Sequence, residues 1–306
     1  MSMVIFSVSF VTIDIVAGQV LDIVFFNIPG SNSVCAKVNH RYQGKDDVVL
    51  MGSSRCLYHF VTNQLSDSIH SYFDSSISVY NYGLNGLFLN SNLCAIESML
   101  HRYSPKIIFL EAESHNFDDN ETYDMGVMTA APYYQRDSIV RKYIDGLGIS
   151  KRIAMRLNMY RFSGAISLRM AKSLLKNTDV DNGYQPLYKT MDLKEPNRQA
   201  KESLYCKYSV DNFQRVAKLC KEKGVPLIVV SSPRYKPNRS TDYIRTLCTE
   251  NNVGYIDLNN IELFNNHPEW FADRPHLNDE GAHIFTSLFF EQIKPYLDAV
   301  YNNDVR

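Results

Sequence analysis

Asp47-Val48-Val49-Leu50-Met51-Gly52-Ser53-Ser54-Arg55 is a run of four apolar residues that stops at a glycine and two serines. A short apolar run bounded by polar residues suits a strand covered on both faces, as in a parallel sheet. The spacing that follows predicts a helix from Ser54 to about Leu65, so the strand turns into a helix at the serines. A strand near Val79 to Tyr82, a helix from Leu87 to Tyr103 and a strand from Lys106 to Leu110 continue the pattern, the last introduced by Pro105. Strands alternating with helices in this way indicate a doubly wound, flavodoxin-like parallel sheet, an α/β three-layer sandwich.

The rhythm stops after Glu111 and resumes at Val210. Val210 to Lys223 reads as a helix ending at Gly224, a suitable residue just past a helix end. Pro226 to Ser231 reads as a buried strand, Thr241 to Asn251 as a helix, Gly254 to Leu258 as the last strand and Asp279 to Leu297 as a terminal helix. Between the two halves, Tyr133 to Asp145, Lys151 to Tyr160 and Ser163 to Lys176 have helical character, followed by a polar loop with Asn182, Gly183 and Pro186. Residues 113–209 are therefore expected to be a helical insertion on the strand-end face of the sheet, where ligand-contacting elaborations sit.

Residues 1–45 form a separate N-terminal apolar segment in this reading, ahead of a domain spanning 46–306. Met3 to Phe26 is largely apolar, with Asp14 and Asp22 its only charged residues. It has the length of a membrane span, yet an Asp near a span centre costs about 2.5 to 3.5 kcal/mol on insertion scales. Lys37, Arg41 and Lys45 follow it, which does not favour export of what comes after. The segment is a candidate membrane anchor or a helix packed on the domain, and an extracytoplasmic or membrane-associated location is the expectation.

A formal net charge of -1 over 306 residues excludes a chain built around phosphate-backbone binding, so no nucleic-acid partner is expected. Cys35, Cys56, Cys94, Cys206, Cys220 and Cys248 form no Cys-x-x-Cys pair, and no His-Glu-x-x-His is present. The sequence thus offers no local metal site, and cofactor-free chemistry is expected. The even number of cysteines permits disulfides, without saying which pair.

Three segments carry the chemistry. Ser54 stands at a helix N-terminus, where backbone N–H groups and the positive end of the helix dipole favour negative charge on an attacked carbonyl oxygen. The bland alternative is an ordinary helix cap. Asp273-Arg274-Pro275-His276 follows the last strand, so carboxylate and imidazole can be held as a Ser-His-Asp triad requires. Asp67 and His70 have the same spacing without the placement. Asn81-Tyr82-Gly83-Leu84-Asn85-Gly86 follows the second strand and lets backbone approach a ligand closely, with the Gly86 amide as a second oxyanion donor.

Taken in chain order, the three segments resemble the characteristic blocks of the SGNH (GDSL-like) hydrolase family, in particular Bacteroidetes-type members with Gly-Ser-Ser-Arg and His-Leu-Asn motifs. The likeness covers about 46 to 112 and 210 to 297. It implies a nucleophile at Ser54, an oxyanion glycine at Gly86, and Asp273 and His276 as orienter and base. It implies a serine acyl-ester hydrolase or O-acyltransferase, acting on an O-acylated carbohydrate or a small ester. One block departs: where the family has Gly-x-Asn-Asp, this chain reads Glu111-Ala112-Glu113-Ser114-His115-Asn116, leaving Ser114 and Asn116 as alternative third donors. That departure also keeps open a non-catalytic glycan-binding or assembly protein with the same fold. His115 is a further candidate donor by proximity, Arg55 and Arg274 are expected in surface or local ion pairs, and Tyr133, Tyr134, Tyr184 and Tyr188 are candidate sugar-stacking surfaces.

Overall fold

The run from Val48 to Met51 forms β1, and its neighbours explain why it is apolar throughout. β1 pairs in parallel with β2 (Val79–Asn81) on one side, Val48 opposite Val79, and with β3 (Ile107–Glu111) on the other, Val48 opposite Ile107. β4 (Leu227–Ser231) and β5 (Gly254–Asp257) extend the sheet beyond β3, giving the all-parallel order β2-β1-β3-β4-β5. The computed structural model describes residues 2–28, 33–73, 76–118, 126–175, 181–194 and 205–302.

Strand side chains alternate between faces, and here each face has its own core. Val49, Met51, Ile108, Leu110 and Val229 enter one core, whereas Val48, Leu50, Ile107, Phe109, Ile228 and Val230 enter the other. The first is covered by α2 (Val34–Gln43), α5 (Leu89–Arg102), α9 (Lys207–Glu222) and α10 (Asp242–Glu250). The second is covered by α3 (Ser54–His59), α4 (Thr62–Phe73) and α12 (Asp279–Tyr301). Each fully buried aliphatic or aromatic side chain contributes about 1.5 to 3 kcal/mol of transfer free energy, so both faces had to be apolar. The expected doubly wound three-layer sandwich is what forms.

The helix expected from Ser54 to Leu65 is two helices, α3 and α4. The break falls at Phe60 and Val61 because other elements claim their backbone groups. Asn81 Nδ2 donates to Phe60 O at 3.1 Å, and Val61 N–H donates to Thr286 Oγ1 at 3.0 Å.

The N-terminal 45 residues are not set apart as expected. α1 (Ser2–Phe26) is followed by α2, which packs against α5, and its basic residues are interior rather than flanking charges. Lys37 donates to Gly183 O at 2.5 Å, while Arg41 binds Tyr82 O and Asn92 Oδ1, the latter at 2.8 Å. Burial lowers the Lys37 ammonium to about 7.

The insertion contains 3-10 turns at Ser114–Phe117 and Gly126–Tyr133, then α6 (Ser138–Asp145), α7 (Ile149–Ala154), a 3-10 turn at Met159–Phe162 and α8 (Ala165–Leu175). Residues 119–125, 176–180 and 195–204 of the insertion, including the expected helix end at Lys176, lie outside the described residues. α11 (Glu262–Asn265) and a hairpin of β6 (Phe271–Asp273) with β7 (His276–Leu277) close the chain before α12. All six cysteines are free thiols, five of them buried.

Candidate active site

In the order 2-1-3-4-5 the chain leaves β1 toward β2 on one side and reaches β3 on the other, which opens a crevice at the carboxyl ends of these strands. Ser53, Ser54, Gly86, Glu111, Glu113, Asn116, Arg234 and His276 line a cleft of about 250 Å³ there. Ser53 is the residue ahead of α3 and makes no side-chain cap, and Ser54 opens the helix. The Ser54 hydroxyl lies 2.7 Å from His276 Nε2 instead of capping its own helix.

His276 is fixed from both sides. The β6-β7 hairpin sets its Nδ1 2.7 Å from Asp273 Oδ1, and its backbone N–H donates to the same oxygen at 3.0 Å. Just beyond, Asn278 caps α12 by accepting from Gly281 N–H at 3.0 Å. Burial acts to raise the Asp273 carboxyl. The His276 hydrogen bond and charge, with Lys189 at 3.5 Å, outweigh it and hold Asp273 below its ordinary value. With Nδ1–H directed at a carboxylate, Nε2 is left as the acceptor facing Ser54.

Gly86 lines the cleft in a left-handed conformation, φ 74°, that glycine adopts without steric cost. The two alternative third donors separate. Ser114 donates to Ser240 O at 2.9 Å and lines a neighbouring cavity instead of the Ser54 cleft, so the Gly-x-Asn-Asp alignment that placed it at the site does not hold in space. Asn116 lines the cleft itself. Its Oδ1 accepts from Glu113 N–H at 2.7 Å, which leaves the Nδ2 amine with a long 3.5 Å contact to His115 Nε2.

Beneath the triad lies a buried polar network centred on Arg55, whose expected ion pairs are local rather than at the surface. Arg55 is 4% exposed, pairs with Glu111 at 3.3 Å and with Glu113, and also binds the Ser232 carbonyl. Burial lowers its guanidinium to about 10 and Glu111 opposes that shift, so it stays charged at neutral pH. Glu113 also accepts from His115 Nδ1 at 2.7 Å and faces Arg234 at 3.7 Å. Replacing Arg55 with Leu takes the cationic partner from buried Glu111 and one of three partners from Glu113, and losing one partner of a buried pair costs about 3 to 5 kcal/mol. Urea midpoints are expected to fall accordingly, whereas Lys218→Ala, which breaks an exposed pair with Glu222, should shift stability by about 1 kcal/mol or less.

His59 extends this network to the base. Its Nε2 accepts from Leu277 N–H at 3.0 Å, so Nδ1 carries the proton toward Ser232 Oγ at 2.9 Å. Ser232 Oγ in turn contacts Glu111 at 3.3 Å, which ties the His276 strand to the ends of β3 and β4. Complete burial, then the charges of Arg55 and His276, hold the His59 imidazole well below 6.5. The folded state therefore refuses a proton that the unfolded chain takes up below 6.5, and stability present above that pH is lost as pH falls. Urea unfolding should lose about 1.4 kcal/mol in all from this residue between about pH 7.5 and about 5.5, the slope steepening toward about 1.4 kcal/mol per pH unit below that. His59→Gln, which keeps an acceptor for Leu277, should show that much less slope.

The remaining sequence candidates lie elsewhere. His70 Nε2 donates to Ile77 O, 2.8 Å away, outside the cleft. Tyr133, Tyr134 and Tyr184 are buried and Tyr188 is exposed, but none of the four lines the cleft, so they are not stacking surfaces for a ligand at Ser54. The insertion reaches the cleft through Glu113, His115 and Asn116. Its later part lines a separate cavity of about 350 Å³, with Met128, Tyr160 and Ile166, that meets the cleft at Gly86. Arg55, His59, Glu111, Glu113, Ser232 and Arg234 were missed as site residues. The available signal was their position at the carboxyl ends of three adjacent buried strands.

No family model matches the chain, and no curated protein matches it in sequence. Among solved structures, a gut microbial diltiazem-metabolizing enzyme is 15% identical with a TM-score of 0.40, the match covering 80% of this chain and 46% of that one. The chain thus spans less than half of that protein's length. A lipase/acylhydrolase from Enterococcus faecalis is 13% identical with a TM-score of 0.40, covering 82% of this chain and 97% of that one. A GDSL-like lipase from Bacteroides thetaiotaomicron is 13% identical with a TM-score of 0.33, covering 80% and 87%.

Proposed function

We propose that this chain is a serine ester hydrolase of the SGNH type that works through an acyl-enzyme on Ser54. The observation that carries the reading is the continuous contact from Ser54 Oγ to His276 Nε2 and from His276 Nδ1 to Asp273, each step 2.7 Å, built from residues 222 positions apart in sequence. Hydrogen-bond reach of about 2.6 to 3.2 Å is what nucleophile, base and orienter need. His276 takes the Ser54 proton as the oxygen attacks an ester carbonyl, and Asp273 stabilises the imidazolium that forms. The Ser54 and Gly86 amides and the Asn116 amine hold the oxyanion, the last in place of the family's asparagine two residues earlier. His276 then returns the proton to the leaving alcohol, and water or an acceptor hydroxyl releases the acyl group.

The finer reading is an O-acylated glycan as substrate. Its support is the cavity of about 250 Å³ that adjoins the Ser54 cleft at Glu113, His115 and Arg234. Asn238, Ser240, Thr241 and Asn259 line it, and hydroxyl groups of an ester's alcohol part find both donors and acceptors on such a wall. The test is a fluorophosphonate probe on the full chain followed by peptide mapping, with turnover compared on an acetylated sugar and on 4-nitrophenyl acetate. The adduct is expected on Ser54. A chain that forms no adduct and turns over no ester supports the non-catalytic alternative.

A further inference from the structure

The acidic residues of α1 fall on one line. Asp14, Gly18 and Asp22 are spaced by four and fall on a single helix face, and all three meet the insertion. Asp14 accepts from Asn158 N–H at 2.8 Å, Asn158 Nδ2 at 2.9 Å and Met159 N–H at 2.9 Å. Asp22 pairs with Arg136 and, at 3.6 Å, with Arg161. A Cβ on Gly18 would lie 2.3 Å from Asn158 Cβ, so the helix touches the insertion closely there. Asp14, the carboxylate that made α1 a poor span, and Asp22 are thereby satisfied by the protein.

From Ile5 to Val20 the other faces of α1 are largely exposed, whereas Phe25 is buried and Leu21, Val24 and Phe26 pack on the core. Among the exposed large apolar side chains of the described residues, ten lie on α1 and seven between Ile149 and Leu175, leaving seven for the rest. Ile149, Ile153, Leu157, Met159, Leu168 and Leu174 belong to the second group, each at least 41% exposed. Residues 146–175 also hold Lys151, Arg152, Arg156, Arg169 and Lys172 at least partly exposed, with Arg161 buried beside Asp22, and no acidic residue, in a chain of net charge -1. Leu157 and Met159 flank Asn158, the residue that grips Asp14, so this apolar and basic rim stands where α1 leaves the domain. At about 1.5 Å per residue, Ser2 to Ile13 runs on for about 18 Å, over half of a hydrocarbon core of about 30 Å.

We propose that the segment Ile149 to Leu175, with the free faces of α1, is an interfacial docking surface for a lipid bilayer bearing anionic headgroups. Exposed aliphatic side chains interleaved with Lys and Arg match the boundary between acyl chains and acidic headgroups. The adjoining helix is long and apolar enough to cross a membrane by length and composition. A second copy docked face to face would oppose one basic surface with another. The cavity that meets the Ser54 cleft at Gly86 draws Lys151, Tyr160, Ile166 and Arg169 from this segment, so an ester borne by the bilayer would reach Ser54 from this side. That consequence rests on the ester hydrolase reading; the docking does not.

The test uses the full chain, whose one tryptophan, Trp270, is stacked on His267 and gives a fixed background. Leu157→Trp and, separately, Leu168→Trp are mixed with vesicles of phosphatidylcholine and phosphatidylglycerol carrying brominated acyl chains, with Leu263→Trp as the exposed control on α11. Emission from positions 157 and 168 is expected to shift to the blue and to be quenched about twofold or more, as for interfacial side chains, while position 263 stays unchanged. Replacing Arg152, Arg156 and Lys172 together with Glu should abolish that quenching while the protein still floats with the vesicles through α1. Emission at 157 and 168 that is no more quenched than at 263 would overturn the proposal. Dimerisation that shields both positions from the bromines would overturn it too, in favour of a second copy of the chain. Because none of these readouts uses turnover, they stand or fall independently of the Ser54 chemistry.

Discussion

Ser54→Ala is expected to abolish the fluorophosphonate adduct and to cut turnover of an activated acetyl ester by up to about 10⁶-fold, the loss seen when a well-tuned triad loses its nucleophile. The residual rate would come from the oxyanion donors alone. Ser53→Ala should keep both the adduct and most of the turnover. Ser53 lines the same cleft, but His276 Nε2 lies 2.7 Å from Ser54 Oγ, so only one of the adjacent hydroxyls has a base within reach. An Ser53→Ala variant that is dead beside an Ser54→Ala variant that still labels would invert the assignment. Since Ser54 sits at the surface of the cleft and caps nothing, its loss should leave urea stability nearly unchanged, which separates a chemical defect from a folding one.

Asp273→Asn should lower kcat by about 10⁴-fold with the fold intact, because an amide no longer holds the imidazole in the tautomer that leaves Nε2 free to accept. The geometry makes the effect specific. One carboxylate oxygen, Oδ1, serves both the ring Nδ1 at 2.7 Å and the backbone N–H of His276 at 3.0 Å. The other oxygen faces Lys189, a side chain 63% exposed at 3.5 Å, so Lys189→Met should alter the rate only slightly. Pre-steady-state measurement of the fluorophosphonate reaction tests both variants. Near-wild-type labelling by Asp273→Asn would mean that His276 is oriented without Asp273, and a Lys189→Met defect of equal size would move the orienting charge to Lys189.

A missing oxyanion donor costs about 2.7 to 4 kcal/mol of transition-state stabilisation. The departure from Gly-x-Asn-Asp therefore mattered to whether the site is complete. In space the 3-10 turn at Ser114–Phe117 advances the chain so that Asn116 reaches the cleft while Ser114 turns toward Ser240. Sequence alignment in single-residue steps has no means of seeing that turn, because which side chain faces the cleft depends on the 3-10 pitch after β3.

By itself the sequence determined the layers. Fully apolar runs such as Val48 to Met51 and Leu227 to Val230 read as buried parallel strands because both of their faces must leave water, and that requirement is local and periodic. It also placed Ser54 at the strand-to-helix junction after β1 and Gly86 in the loop after β2, while the β6-β7 hairpin that holds Asp273 and His276, beyond the expected last strand at Gly254 to Leu258, appeared only in the structure. Only the tertiary structure decided which polar residues meet. The ion pairs of Arg55 with Glu111 and Glu113, the acceptor role of His59 toward Leu277 and the grip of Asn158 on Asp14 join positions 56 to 218 residues apart. A buried charge is tolerated only where a partner from another element arrives with matching geometry. That match is a property of the packed arrangement, so sequence spacing carries no trace of it.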